Sequence, residues 1–571
     1  MYQAVFYDYK THTYYLRDDK SPKFQEIKYY PTYYKRVASN IEGSLPVLTG
    51  GYAIPTQTYN KDDKGLLEKD INKELVLLRD MYYKFDDVVP SWHSLSYLDI
   101  ETEMGGALTY EYIKSAPMPL TSIAVIDINT KTKYCFIVDK SKKIQSIEQP
   151  GKHIIPCSSE KDLIKTFLNK WEEIDSTIVA TWNGSFFDIP YLYYRIKNVF
   201  SEKEANRLSP IKKVSIQEWD ESNPIRLGGI NHLDYMLLHK KYITKQEPSY
   251  KLGSIGEKYV NLGKIEYEGN LNTLFEKDKN LFIDYNLRDV EILEALEGKL
   301  KFIELTILLC HDCLVPYDQI YYTTVLNEGK VLKYLKRKKI VSNNKPTTDH
   351  PELKGVKDEY AGGFLLQPSV GLHKWGADFD ATSHYPRIII DLNIGNETLI
   401  GWIENNDKYN CWLSLEELKE MDPESTLTLH RVKGDSKLIK VKNIIKFIET
   451  ENVSIAASGA IFDTSKKSVL GEILENGFDL RQSYKKIMKE AGKNKDWEKY
   501  KLYELKSTAI KYFINGCYGA LALPGFRYSD GRFILSKAVT LSGQRICKEV
   551  IKEMNSYMEE DLKRLNFAPK M

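Results

Sequence analysis

Between residues 96 and 330 the chain alternates short apolar runs with longer stretches of helical period, and this alternation restricts the fold more than any other feature. The runs LSYLDIE, LTSIAVIDI, TKYCFIVD and STIVATW are rich in β-branched and aromatic residues, as strands are. EKDLIKTFLNKWEEI and KNLFIDYNLRDVEILEALEGKLKFIELTILL repeat apolar side chains at helical spacing. Strands that alternate with helices predict an α/β domain. The 571 residues as a whole suffice for roughly three to five domains.

Composition is that of a soluble globular protein, with 42% hydrophobic and 28% charged residues. No apolar run approaches the ~18 residues of a membrane span. The opening MYQAVFYDYKTHTYY lacks the basic-then-apolar plan of a signal peptide. An intracellular, cytoplasmic protein with no membrane partner is expected. The seven cysteines are odd in number and scattered, which points to reduced thiols. CHDC at 310–313 follows the apolar IELTILL and has no second Cys/His pair nearby, so buried helix cysteines are expected there. Net charge is only +2, yet residues 466–511 hold 12 Lys/Arg against 7 Asp/Glu. Such a segment is either a solvated helix face or a surface that meets a polyanion.

No internal repeat, low-complexity tract or long Gly/Ser linker interrupts the chain. Residues 1–95 read as short Tyr-rich strands and turns. A loop-rich stretch, SNNKPTTDHPELKGVKDEYAGG, leads to an apolar strand that carries Asp380. Helical patterns at about 468–491 and 497–516, separated by AGKNKDW, predict an antiparallel helical hairpin. A last amphipathic helix is expected over about 535–566.

Candidate chemistry lies in the acids. In YLDIETE, Asp99 and Glu101 are two apart on a strand and share a face, where both can approach one metal cluster. TIVATWNGSFFDIPYL adds Asp188 beyond an Asn-Gly turn, with Phe187 beside it. Asn183 in that turn reads as a turn former or as a functional residue. FIDYNLRDVEIL places Tyr285 and Asp289 four apart on one helix face, so the phenol can orient a water beside an acid that holds a metal. Four carboxylates, a phenol and no histidine suit Mg²⁺ or Mn²⁺ better than zinc. Two such ions about 4 Å apart stabilise the entering and leaving oxygens of a phosphodiester cleavage.

The ordered set Asp-x-Glu, Asn-x-x-x-Phe-Asp, Tyr-x-x-x-Asp resembles the three exonuclease motifs of the DnaQ-like 3′-5′ proofreading superfamily. The resemblance implies a ribonuclease-H-like fold. It implies Asp99, Glu101, Asp188 and Asp289 as metal ligands, Tyr285 as a catalytic partner, and Asn183 and Phe187 as substrate contacts.

A second constellation follows. ADFDATSHYPRIII resembles motif A of family B DNA polymerases, usually Asp-x-x-Ser-Leu-Tyr-Pro-Ser, with Asp380, Ser383, Tyr385 and Pro386 in register. This implies that Asp380 binds the metals of a polymerase site, that Ser383 lies in the nucleotide pocket, and that Tyr385 blocks a ribose 2′-hydroxyl. His384 and Arg387 stand where the family has Leu and Ser. IKYFINGCYGALALPGFRY resembles motif B, with Lys511, Asn515, Tyr518 and Gly519 on one side of a helix. Lys511 would then neutralise a triphosphate, and Tyr518 would lie against the nascent base pair. Gly516 and Cys517 depart from the usual Asn-Ser-x-Tyr-Gly and raise the question of whether the helix runs through 516. Arg481 and Lys485, four apart, resemble the basic pair that the fingers present to incoming phosphates, so the basic segment is read as a fingers domain.

The resemblance runs nearly end to end, and FDIPYLYYRIKNVFSEKEANRLSPI, HLDYMLLHKKY and AGGFLLQPSVGLHKWGADFD are similar to the T-even-type phage branch. A phage-encoded enzyme would work in the host cytoplasm. The expected fold class is α/β multidomain: an amino-terminal β-rich domain at 1–95, completed by about 331–371; a ribonuclease-H-like exonuclease domain at 96–330; the first part of an α+β palm at 372–467; helical-hairpin fingers at 468–520; and a second part of the palm at 521–571. The family's motif C, Gly-Asp-Thr-Asp, and its thumb are missing, since only Asp530 and Asp561 follow Gly519. Either the polymerase is naturally split and a second subunit brings motif C and thumb, or the chain is truncated; the complete last helix and the start at a Met favour the split. The implied partners are primer-template and single-stranded DNA, dNTP, that second subunit and a sliding clamp, with two Mg²⁺ or Mn²⁺ ions per active site. Two alternatives stay open, a stand-alone 3′-5′ exonuclease and a non-catalytic nucleic-acid-binding regulator. QEWDESNPIRLGGINHLDY is expected to hold a hairpin that helps move a primer end between sites.

Overall fold

The apolar runs between residues 95 and 234 assemble into one seven-stranded mixed sheet. In chain order its strands are β1 (Leu95–Thr102), β2 (Leu120–Asp127), β3 (Thr132–Val138), β4 (Ile147–Gln149), β5 (Lys152–Cys157), β6 (Ile178–Thr181) and β7 (Asn231–Asp234), and in space the order is β4-β5-β3-β2-β1-β6-β7. β1, β2 and β3 form an antiparallel meander, whereas β6 joins β1 in parallel and β7 joins β6 in parallel. The computed structural model describes the whole chain except residues 86–92, 218–219, 221–222, 347–361, 368–369, 373–378, 405–411, 433, 524 and 565–571. The described chain divides into two units, Met1–Pro31 with Asn72–Tyr322 and Thr32–Ile71 with Thr323–Met571.

In the first unit every residue of β2 is buried, because the strand is covered on both faces. One cover is the helix Glu160–Ile174, capped by Ser159 and closed by the left-handed Asp175, which sets Phe167 and Trp171 against Phe136 and Val138. The helix α1 (Asp188–Val199) starts directly after the turn that follows β6, and α2 (Lys279–Leu300) packs across β1, β2 and β3. An antiparallel meander of Tyr2–Asp8, Thr13–Asp18 and Ser21–Ile27 completes this unit's sheets together with a two-stranded hairpin, Val214–Ile216 against Ile225–Leu227. The second strand and loop of that hairpin fall in the stretch expected to hold one, its first strand precedes it, and residues 218–219 and 221–222 of the loop are outside the described residues. Cys310 and Cys313 are buried, neither in a disulfide, near the end of the helix Phe302–Cys313.

The second unit holds a five-stranded antiparallel sheet built from Leu399–Glu404, Thr426–Arg431, Lys437–Lys440, Val453–Ile455 and Ala460–Asp463. Its helices include α3 (His384–Asp391), α4 (Val469–Lys493), α5 (Trp497–Leu521) and α6 (Ile534–Arg564). α4 and α5 are the expected antiparallel hairpin; α4 continues past Gly492 to a cap at Asn494, and Asp496 caps α5. α5 is unbroken through Gly516, where a Cβ would meet only an ordinary contact from Thr323. The apolar strand expected ahead of Asp380 falls on 373–378, outside the described residues. No helix among the described residues is long and apolar enough to cross a membrane.

Arg527 ties the sequence-distant parts of this unit together. Its side chain is wholly buried, its Nε donates to Glu328 at 2.9 Å, and its Nη1 donates to Asp70 at 2.6 Å and to the Asn343 carbonyl at 2.9 Å. Removing one partner of such a group strands the opposing charge in a water-poor interior. Arg527→Ala is therefore expected to lower the stability of this unit by about 3–5 kcal/mol, measured by urea unfolding; a change below 1 kcal/mol would show that water already reaches Glu328.

Candidate active site

Asp99 and Glu101 project from the same face of β1 because two residues separate them on a strand. β1 is paired on both edges, with β2 on one side, where Asp99 faces Ala124 and Glu101 faces Ser122, and with β6 on the other. β6 pairs with β1 only as far as Tyr97, so the pair is held by the β2 ladder just beyond the doubly paired part of the strand. α2 brings Asp289 over this face, and one carboxylate oxygen each from Asp99, Glu101 and Asp289 lie within 4.8 Å of one another. Among the described residues this is the one such group.

Asp188, at the start of α1, joins from the other side. Its Oδ1 accepts a hydrogen bond from the Ile100 amide at 3.2 Å, so it meets β1 at the residue between Asp99 and Glu101. The turn that delivers it is built by Asn183, whose φ of 62° is left-handed. The buried Asp234 carboxylate accepts the Asn183 and Ser185 amides, each at 3.1 Å, and so fixes this loop. Phe187 precedes α1 and packs on Tyr191 with ring centroids 5.3 Å apart.

Three residues outside the sequence reading complete the cluster. Lys264 donates to Asp289 Oδ2 at 2.5 Å and to the Tyr285 hydroxyl at 3.2 Å, so it stands between the phenol and the acid. Asn286 donates to Asp99 Oδ2 at 2.7 Å while its own Oδ1 accepts from Ser122 at 2.7 Å, which sets the Asp99 carboxylate plane. Asp234 is the third. Asn286, three before Asp289, was detectable as a neighbour on its helix face. Lys264 sits in the loop NLGKIEY, where no periodicity marks it.

The electrostatics are those of a cation site. Burial, and then the charges of Asp289, Asp188 and Glu101, push the Asp99 carboxyl well above the ordinary range. Burial and Asp289 push Glu101 up to about 8. Burial likewise raises Asp188 to about 7, against the pull of the Ile100 amide. Asp289 is raised by burial and held back by Lys264. Its Oδ1 is buried and has no hydrogen-bond partner among the described residues, as a cation ligand would in the absence of its ion. An all-oxygen donor set of this kind fits Mg²⁺ or Mn²⁺.

The second unit carries the other sequence-marked residues. Asp380 is exposed, and Ser383, with a left-handed φ of 55°, precedes α3. Tyr385 in the first turn of α3 meets Tyr518 of α5, ring centroids 4.6 Å apart and tilted by 54°. Lys511, Asn515 and Gly519 are exposed on α5 and Tyr518 is half-buried, while Ile510, Phe513, Ile514 and Cys517 face inward. Arg481 is half-buried and Lys485 exposed on the facing helix α4. Arg387 lies over the Phe478 ring at 4.4 Å.

Residues 66–255 match the family model for the exonuclease domain of DNA polymerase family B, and residues 320–571 match the model for DNA polymerase family B. The chain belongs to DNA polymerase family B. It is 27% identical over 429 residues to the DNA-directed DNA polymerase of Escherichia phage RB69, an alignment that covers 71% of this chain and 46% of that protein. The corresponding enzyme of Enterobacteria phage T4 is 26% identical over 431 residues, covering 71% and 47%. DNA polymerase 1 of Pyrococcus abyssi is 25% identical over 516 residues, covering 88% and 54%. The chain thus spans about half the length of these relatives.

In this family B chain the raised carboxyls couple stability to pH. The native state keeps protons that the unfolded chain has already released, so stability of the metal-free protein falls as pH rises from the ordinary carboxylate range through about 7 and 8. Melting in EDTA is expected to show this decline, with little further change from these groups above it. Mg²⁺ should remove it, since the bound cation favours the ionised acids. A metal-free melting temperature flat over that window would contradict the assigned burial.

Proposed function

We propose that this chain removes nucleotides from the 3′ ends of single-stranded DNA, as the proofreading part of a replicative, phage-like family B DNA polymerase, and that it also carries the Asp380 half of the polymerase site. The observation that carries the first statement is the meeting of the Asp99, Glu101 and Asp289 oxygens within 4.8 Å, with Asp188 bonded between the first two.

Asp99, Glu101, Asp188 and Asp289 would hold two Mg²⁺ or Mn²⁺ ions. When bound, the ions supply the charge that makes water nucleophilic near neutral pH and offsets the charge gathering on the scissile phosphate. Tyr285 orients the attacking water through its hydroxyl. Lys264 donates to that hydroxyl and to Asp289, and its charge partly offsets the burial that raises the Asp289 carboxyl. Asn286 keeps Asp99 in a fixed plane. Asn183 and Phe187, on the loop before α1, contact the terminal nucleotides, which a stacking ring suits.

The fold assignment follows this reading. The seven-stranded sheet with its helices is a ribonuclease-H-like exonuclease domain within 96–330, residues 372–467 and 521–571 belong to a palm, and α4–α5 are fingers. Residues 1–95, with about 331–371, form the amino-terminal domain. On the polymerase side Asp380 binds metal, Ser383 and Tyr385 line the nucleotide pocket with Tyr385 as sugar gate, Arg481, Lys485 and Lys511 grip the dNTP phosphates, and Asn515, Tyr518 and Gly519 face the nascent pair. Primer extension needs a further carboxylate and a thumb from outside these residues. A sliding clamp is a further partner.

Two outcomes test the reading. Asp99→Ala combined with Glu101→Ala should abolish Mg²⁺-dependent 3′-5′ degradation of labelled single-stranded DNA, and retained cleavage would sink the assignment. Lys264→Met should slow cleavage by about 10–100-fold, as loss of a group that supports metal ligands does, while the protein still binds the strand; an unchanged rate would reduce Lys264 to a surface ion pair.

A further inference from the structure

We propose that Gly543 of α6, together with Gln544 and His384, positions the ring of Tyr385 and so sets how strictly the nucleotide pocket excludes a ribose. The proposal rests on the reading of Tyr385 as sugar gate.

The ring of Tyr385 is enclosed by close approaches. On one side stands Tyr518, 4.6 Å away between centroids. On another side passes α6: a Cβ placed on Gly543 would stand 2.9 Å from Tyr385 Cε1 and 3.0 Å from His384 Nε2, both inside ordinary van der Waals contact. At the hydroxyl end, a Cβ on Gly363 would stand 3.3 Å from the Tyr385 oxygen. The gate thus leans on two positions where no side chain fits without displacement.

Gly543 lies within the long helix α6, and a glycine there costs about 1 kcal/mol relative to alanine. That stability is given up at the turn where the ring needs the space. The same turn of α6 fastens the neighbours of the ring. His384 Nε2 donates to the Gly543 carbonyl at 3.2 Å, which anchors the start of α3 on α6. Gln544 Nε2 donates to the Gly362 carbonyl at 2.7 Å, which anchors the segment that carries Gly363. His384 stands where the family pattern has a leucine, and leucine has no donor for this bond. In this chain the seat of the gate is therefore a hydrogen-bonded clamp on α6 in addition to packing.

A steric gate works by clearance. In a close-packed interior a shift of half an ångström is not absorbed elsewhere, and the room left beside the sugar 2′-carbon changes by the same amount. A methyl group at 543 pushes the ring away from α6 and, on the gate reading, narrows the gate. Loss of the His384 bond frees the start of α3 and widens it.

Single-nucleotide primer extension by the complete polymerase tests this, with kcat and KM measured for a dNTP and the matching rNTP. Gly543→Ala is expected to raise the dNTP-over-rNTP ratio of kcat/KM by about tenfold, mainly through KM. His384→Leu, which adds no bulk beside Tyr385 and serves if the alanine variant folds poorly, is expected to lower that ratio. In a Tyr385→Ala background both effects should vanish. Unchanged ratios in the single variants, or the same factors in the Tyr385→Ala background, overturn the proposal while leaving the gate in place. If Tyr385→Ala alone leaves the ratio unchanged, the gate reading itself fails and the proposal falls with it.

Discussion

Four carboxylates forced together on one face of a buried sheet are the constraint from which the rest of the first unit follows. Two of them, Asp99 and Glu101, are held on one face by the two-residue period of β1, which the ladder to β2 fixes at both positions. Their mutual repulsion is met in three ways. Lys264 sets one positive charge against Asp289; the Ile100 and Asn286 N–H groups donate to Asp188 and Asp99; and some protons are retained, as the raised Glu101 and Asp188 show. Each answer is partial, which leaves the cluster with unmet negative charge and an unbonded Asp289 oxygen. Affinity for a hard cation is the consequence.

Placing such a cluster needs a scaffold that does not yield. Asp188 follows a loop, the least rigid kind of element, and the structure stiffens that loop with the buried Asp234 carboxylate, which accepts from two of its amides, Asn183 and Ser185. Gly184 completes the arrangement: a Cβ there would stand 2.1 Å from Thr181 Oγ1, so the chain can pass only without one. Thr181 in turn is bonded to His232 on β7 at 2.7 Å. The acid is therefore positioned by a chain of contacts that runs through the sheet itself.

Much of this was legible in the sequence because the elements are periodic. The strand alternation located β1, β2, β3 and β6, and the four-residue spacing of Tyr285 and Asp289 put both on one face of α2. The helical hairpin was readable from 468 onward for the same reason. Lys264, Asp234 and Asn286 were not singled out, since their roles depend on which loops and strands meet in space. The question raised by Gly516 was settled by tertiary packing: α5 is held by α4 along its length, and the intrinsic cost of one glycine, about 1 kcal/mol, does not break a helix supported in this way. Gly543 escaped notice for the opposite reason. A glycine in a long amphipathic pattern carries no sign of what lies opposite it.

The two candidate sites also differ in kind. The acids of the first unit create a cation site within one fold, from a sheet, two helices and a loop. Asp380 is one exposed carboxylate, and among the described residues no second acid joins it in a cluster. A single carboxylate holds Mg²⁺ weakly, because that ion releases its water reluctantly and is normally bound by one or two carboxylates together with substrate phosphates. In the proposed roles, Arg481, Lys485 and Lys511 would offer charge to a polyphosphate and Tyr385 and Tyr518 surfaces to a sugar and a base, so the nucleotide itself would bring most of the oxygens that fix the ion. If the proposed roles hold, the second unit would gain its metal with its substrate and a further acid, whereas the acid cluster of the first would bind its metal before any strand arrives.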